Sequence, residues 1–375
     1  MKRSRPLLRA CILLLLVGVL ASCEEPTSGI ARATGEGGRR DNNQMPEVGG
    51  EGRLFSNGGR NPVLDADFPD PTVIRTSEGP FFAYATQVIR APGTVNIQVA
   101  SSEDLLTWTY RGEALPNKPS WAKTTQDFWA PHVTERDGTF YLYYSAVPDD
   151  EVGNDIYCLA AATSDRPEGP FTDLGEPFLC SGGVDIDPVT LRDPRTGAWF
   201  MYWAASGDIV GQRLDDDMTS LRGDGPTFLL AGYSAARSRP YEDIVEGPFV
   251  VRRAGWFYLF YSGDRCCEYP GHYAVLVARS RRPLGPFKRL GRATGRRSSV
   301  ILSQNERWNA PGHGSLVRDA AGRDWFVYHA IDSRDPYLAA GGVRRPMLLD
   351  RVTYEHGWPR IGAGKPSRRP ARSTP

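Results

Sequence analysis

Five short aromatic segments recur along this chain: FFAYAT (81–86), FYLYYS (140–145), WFMYWA (199–204), FYLFYS (257–262) and WFVYHA (325–330). Their fourth residues are Tyr84, Tyr143, Tyr202, Phe260 and Tyr328, separated by 59, 59, 58 and 68 residues. Each run has strand length, and most follow a turn signal such as RDG, RTG or AAGRD. Further strand candidates follow at NIQVASS (96–102), YCLAAATS (157–164) and YAVLVARS (273–280), and the phrase GPF closes two repeats at 169–171 and 285–287. A pitch near sixty residues accommodates four strands with their loops. A β-sandwich gives no reason for so even a pitch, whereas stacked repeats do. The pattern predicts an all-β fold, a five-bladed β-propeller forming a single domain. Forty glycines, thirty prolines and 11% aromatic residues agree with many turns and strands.

Upstream of each aromatic anchor lies a short apolar strand preceded by a polar or aromatic residue. Asp70 stands fourteen residues before Tyr84, Asp187 fifteen before Tyr202, Glu246 fourteen before Phe260 and His313 fifteen before Tyr328. In the second repeat Trp129 and His132 stand fourteen and eleven residues before Tyr143. These strands are predicted to be innermost in their blades and to line the central channel. Three carboxylates then converge on one end of the axis. Asp70 and Asp187 each precede a proline, which fixes its own φ and biases the residue before it towards extended geometry. Singly, an acid beside Pro or Gly reads as a turn residue. Three at matching offsets read either as a calcium site or as the paired acids of glycoside hydrolysis. Carboxylates of different reach on different blades suit hydrolysis better, because crowding raises the pKa of one of them.

The ends of the chain carry other signals. MKRSRPLLRA and CILLLLVGVL form the basic and apolar regions of a signal peptide, too short to span a membrane comfortably. Leu-Ala-Ser-Cys then resembles a bacterial lipobox, so residues 1–23 read as a lipoprotein-type signal with Cys23 acylated. Residues 24–55 read as a disordered tether, 56–361 as the propeller and 362–375 as a disordered basic tail. The protein is expected to be exported: a lipoprotein at the cell envelope, or otherwise periplasmic or secreted. The membrane is met only through the lipid at Cys23. A net charge of +1 gives no argument for nucleic acid. Cys158, Cys180, Cys266 and Cys267 remain for the folded part. A Cys158–Cys180 disulfide is favoured in an oxidising compartment. The adjacent pair is then left either as a vicinal ring or as two free thiols.

NPVLDADFPDPTVI, FWAPHV followed by GTFYLYYS, DIDPVTL, EGPFVVRRAGWFYLFYS, GHGSLV and EHGWPRI occur in the order of the glycoside hydrolase family 43 motifs. The chain resembles that family over essentially all of 61–361. The resemblance implies a five-bladed propeller and an inverting mechanism. Asp70 would be the general base, Glu246 the general acid, and Asp187 the carboxylate that orients the site and tunes the acid. Trp129, whose ring suits a sugar face, and His132 are candidate substrate contacts, and Arg345 resembles an arginine that reaches the substrate, in competition with Arg344, since only one of two adjacent strand residues can face the pocket. The family often has an acid where His132 stands. His313 resembles an axial histidine that approaches a calcium ion; no cofactor is otherwise required. The GDRCCEYPGHYAV loop should place Cys266 and Cys267 at the pocket rim. Arabinose- or xylose-containing glycans are the implied partners, through α-L-arabinofuranosidase or arabinanase activity first and β-xylosidase activity second. A propeller that only binds glycans is the rival from another class. It would require a substitution among the three acids, and none is present.

Overall fold

The computed structural model describes residues 54–90, 93–232 and 240–370. The predicted signal peptide with Cys23, and the predicted tether up to residue 53, lie outside them. Leu54 and Phe55, assigned to the tether, instead begin the fold: Leu54–Ser56 pairs with Thr107–Glu113 at the outer edge of the first blade.

Among the described residues, five antiparallel sheets of four or five strands follow in chain order. Their innermost strands are Thr72–Arg75, Trp129–Arg136, Asp185–Arg192, Val245–Arg253 and Trp308–Arg318. Each innermost strand contacts the next, and the fifth contacts the first, so the sheets close a ring around an axis. The aromatic runs are the second strands. Their alternate side chains point to opposite faces, and each face packs on a neighbouring blade. Tyr84 packs with Leu142 and Tyr144 between the first and second blades. Tyr143 meets Met201 and Trp203 between the second and third. Tyr202 meets Leu259 and Tyr261, Phe260 meets Phe326, and Val327 meets Phe81 and Ala83. A strand buried on both faces cannot alternate polar and apolar residues, which is why these runs are continuously hydrophobic.

Position by position, the fifth repeat is displaced by one residue from its apparent alignment. Tyr84, Tyr143, Tyr202 and Phe260 face forward to the next blade, but Tyr328 faces back to the fourth, and Val327 takes the forward position. The register agrees: Thr72 pairs with Tyr84 and Ser315 with Val327.

The ring is closed by the segment before Asp70. Val63 and Leu64 donate their amides to Met347 O, and Leu64 O receives the Met347 amide. Asn61 imitates a strand, with its side chain donating to Leu349 O and accepting from Leu349 N. Residues 362–370, predicted as part of a disordered tail, instead pack on this seam. Ser367 N donates to Asp350 Oδ2, Asn61 N to Arg368 O, and Lys365 Nζ to Ser303 Oγ. Their Gly, Ser and Pro composition hides a segment held by main-chain hydrogen bonds rather than by apolar burial. Residues 371–375 lie outside the described part.

Candidate active site

At the mouth of the axis the innermost strands carry bulges. Register breaks fall between Trp129 and His132, Ile186 and Val189, Glu246 and Phe249, and Gly312 and Ser315. At each turn one residue takes positive φ: Asp70 (54°), Ala130 (47°), Asp187 (62°), Gly247 (56°) and His313 (42°). The prolines therefore do not leave Asp70 and Asp187 extended, as pre-proline sterics alone suggest. At Asp187 the bulge overrides that bias and swings the side chain off the strand face, and Asp70 takes the same left-handed turn just before its strand begins. At the fourth blade the turn residue is Gly247. A Cβ there would meet the His313 ring at 3.2 Å. Glu246 thus sits one position before the turn, level with Trp129 in the second blade: Glu246 pairs with Ser262 and Trp129 with Ser145.

The five turns are tied together by one device. Each turn residue donates its amide to a side chain of the preceding blade. Ala130 N donates to Thr86 Oγ1 (2.9 Å), Asp187 N to Ser145 Oγ (3.1 Å), His313 N to Ser262 Oγ (2.9 Å) and Asp70 N to His329 Nδ1 (3.0 Å). Thr86, Ser145, Ser262 and His329 all lie two residues beyond the forward-facing anchor of their blade. In the third blade Ala204 holds that place and has no acceptor. The Asp187 carboxylate supplies it, its Oδ2 receiving Gly247 N at 2.7 Å. The backbone amides at the mouth are thereby satisfied, and each acid is placed by its neighbours.

Asp70 is the most heavily partnered of the acids. Thr86 Oγ1 donates to its Oδ2 at 2.6 Å, and Arg345 Nη1 to its Oδ1 at 3.2 Å. His313 Nδ1 lies 3.4 Å from Oδ1. Burial opposes ionisation, but the Arg345 and His313 charges outweigh it and hold this carboxyl well below the usual range. His329 Nδ1 is also 3.1 Å from Oδ1. It can serve only one partner, and the Asp70 amide always carries a proton, so Nδ1 accepts. Burial lowers the His329 pKa to about 4, leaving the ring neutral with its proton on Nε2.

Glu246 has the opposite surroundings. Burial first, and the nearby Asp187 charge second, push its pKa up to about 7. The Tyr273 hydroxyl donates to Oε1 at 2.6 Å and partly offsets that rise. Tyr273 lies across Gly312, where a Cβ would meet its ring at 2.3 Å. Burial raises Asp187 as well, opposed by His313, whose Nε2 is 4.0 Å from Oδ1. Burial disfavours charge on His313, but Asp187, Asp70 and Glu246 together raise its pKa. One imidazole thus links two carboxylates, and a third stands close by.

The other sequence candidates fall in different places. Arg345 faces the acids, while Arg344 turns away to an ion pair with Asp65. Asp67, three residues before Asp70, is buried and receives the Arg345 amide at 2.8 Å. Trp129 is half-buried and stacks on Tyr157, with ring centroids 4.4 Å apart. His132 lies below the mouth rather than in it. It is buried in the axial channel with Nδ1 3.4 Å from Thr72 Oγ1 and Nε2 3.1 Å from Thr190 Oγ1, and burial lowers its pKa to about 3. With both ring nitrogens partnered, it has the surroundings of a satisfied core histidine.

His313 does not fit the calcium expectation. The cavity beneath it measures only about 30 Å³, and its wall mixes Asp70, Asp187 and His132 with four prolines, Val189 and Phe249. Calcium takes six to eight oxygens, and a ligating imidazole must be neutral, whereas three carboxylates favour the protonated form here. Among the described residues no three His, Cys, Asp or Glu side chains are grouped to hold a metal ion. Both disulfides form, Cys158–Cys180 and the vicinal Cys266–Cys267. Thr86, Tyr273 and His329 are the site residues that sequence reading misses. The Ser or Thr ending three of the five aromatic runs was the available signal for Thr86.

Comparison with known proteins adds an independent line. The sequence profile of glycosyl hydrolases family 43 matches residues 59–359. The extracellular exo-α-(1→5)-L-arabinofuranosidase of Cellvibrio japonicus is 27% identical, with 79% of this chain and 86% of the relative covered. A xylan 1,3-β-xylosidase of a Vibrio species is 26% identical, covering 82% of this chain and 58% of the relative. Among solved structures, a thermostable family-43 glycoside hydrolase superposes with a TM-score of 0.67 at 26% identity, covering 84% of this chain and 99% of that one.

Proposed function

The chain belongs to glycosyl hydrolases family 43 and is a glycoside hydrolase, and on that premise we propose that it cleaves α-L-arabinofuranosyl linkages of plant polysaccharide with inversion. The observation that carries this reading is the divergence of two carboxyl groups within one cluster. Asp70 is held ionised by Arg345 and His313, and Glu246 is held protonated towards neutrality by burial and by Asp187. Environments that separate two pKa values in this way support Asp70 as the base and Glu246 as the acid. Asp70 removes a proton from a water that attacks the anomeric carbon. Glu246 gives its proton to the departing glycosidic oxygen as that C–O bond breaks. Asp187 keeps Glu246 protonated by its charge and steadies the Gly247 turn beside it. The stacked Trp129 forms an aromatic wall suited to a sugar face.

The arabinosidase reading draws on the Cellvibrio relative. The Vibrio xylosidase keeps β-xyloside as the second substrate. Turnover of aryl α-L-arabinofuranoside and aryl β-D-xyloside tests both, with NMR of the first-formed product reporting its anomer. Activity on neither sinks the reading, and retention of configuration sinks the mechanism. Two disulfides agree with export to an oxidising compartment. Anchoring through Cys23 is tested by palmitate labelling of the wild type and Cys23→Ala, and equal labelling refutes it.

Tyr273→Phe removes a donor that favours ionised Glu246. The pKa of Glu246 then rises further above about 7, and the basic limb of the kcat/KM profile moves to higher pH. A basic limb that stays fixed or moves down detaches Tyr273 from the acid.

A further inference from the structure

The hairpin that joins Trp256–Arg265 to His272–Ser280 carries the vicinal disulfide at its tip. Its far end is pinned to the fifth blade, Gly271 N donating to Asn309 Oδ1 at 2.7 Å. Cys267 is exposed and Cys266 half-buried. The two sulfurs reach different halves of the site. Cys267 Sγ receives Arg345 Nη1 at 3.3 Å, and that same nitrogen is 3.2 Å from Asp70 Oδ1. Cys266 packs against the small cluster of Tyr273, Ala310 and Ile331. Tyr273 in turn holds Glu246. One side chain therefore separates the disulfide from the proposed base, and the small apolar cluster to which Tyr273 belongs links it to the proposed acid.

We propose that the Cys266–Cys267 disulfide is the positioning element that fixes Arg345 against Asp70 and Tyr273 against Glu246, with its exposed sulfur forming a wall of the sugar site. This rests on the acid–base reading above. The chemistry suits the task. Two adjacent cysteines closed into a ring lose the side-chain freedom that two thiols would keep. Sulfur is polarisable and presents an apolar surface to a sugar or an aromatic ring. It also accepts only a weak hydrogen bond, so Arg345 stays directed to Asp70 without being drawn off by a competing charge. The same loop meets the segment that carries Arg345 a second time, through the edge-on contact of Tyr269 with Tyr337, whose centroids are 6.0 Å apart.

The test compares the full chain with its Cys266→Ser/Cys267→Ser variant on the aryl glycoside that the wild type turns over. Misplacement of a positioning group by about an ångström costs on the order of 100-fold. The expected result is a kcat/KM loss of about ten- to 100-fold, chiefly in kcat. The acid limb should also move to higher pH, because Arg345 is no longer held at Asp70. A merely structural disulfide would lower the unfolding temperature and leave that limb in place. If the variant does not fold, the folded wild type is opened with a water-soluble phosphine and alkylated. Kinetics are then measured where mass spectrometry finds 266 and 267 modified and 158 and 180 intact. Unchanged kcat/KM and an unmoved acid limb in either experiment overturn the assignment while leaving the acid–base reading standing. A wild type inactive on both glycosides removes that reading, and the assignment falls with it.

Discussion

Glu246→Gln lowers kcat/KM on an alkyl arabinoside by on the order of 10³–10⁴-fold, the range of a lost general acid. The loss is much smaller for a dinitrophenyl arabinoside, whose leaving oxygen departs without a proton. This contrast in leaving groups identifies an acid; a general loss of binding would lower both substrates alike. The basic limb of the pH profile, set by a group raised to about 7, disappears in the variant. Stability gives a second sign. A folded pKa raised above the ordinary carboxyl value of 4.5 means that the folded state holds the proton more tightly. That contribution is fully present below the unfolded value and is lost as pH rises through about 7. The variant keeps a neutral group at every pH, so it should be more stable than the wild type in denaturant titrations above neutrality. Equal losses on the two leaving groups would remove Glu246 from the acid role.

Much of this site was legible because the propeller repeats itself. A near-constant pitch locates five second strands, and the residues upstream of them fall at the axis because each blade is built alike. Asp70 and Asp187 are found this way, and so is Glu246, though for a slightly different reason from the other two. The turn residue of its blade is Gly247, and Glu246 enters the site from the position that Trp129 occupies in the second blade. The misses share one physical cause. Thr86, Tyr273 and His329 act on acids of another blade or from the far side of a hairpin, and sequence distance carries no trace of such contacts. His329 was further hidden by the one-residue shift of the fifth repeat, which made Tyr328 rather than Val327 appear to be the anchor. His132 was misplaced because Trp129 and His132, only three apart on a bulged strand, lie at the mouth and in the channel, respectively.

Asp70→Asn should cost at least as much activity as the loss of Glu246, about 10⁴-fold, and for both leaving groups, because every substrate needs an activated water. Asparagine keeps the shape but cannot take the proton. It also removes the charge that faces Arg345 and His313. The acid limb of the pH profile should vanish while the basic limb set by Glu246 survives. The stability effect runs opposite to that at Glu246. The folded pKa of Asp70 is depressed, so its ionised form contributes stability above the ordinary value of 3.8, and this is lost as pH falls through the lowered value. Asparagine cannot make that contribution, and the half-buried Arg345 guanidinium loses its counter-charge, which is costly in its own right. Asp70→Asn should therefore unfold at lower denaturant than the wild type at pH 7, with the difference narrowing in strong acid. One carboxyl lends stability when ionised and the other withdraws it. A pair of titrations in which the two variants shift stability in the same direction at pH 8 would contradict the assignment of base and acid, even if both variants were inactive.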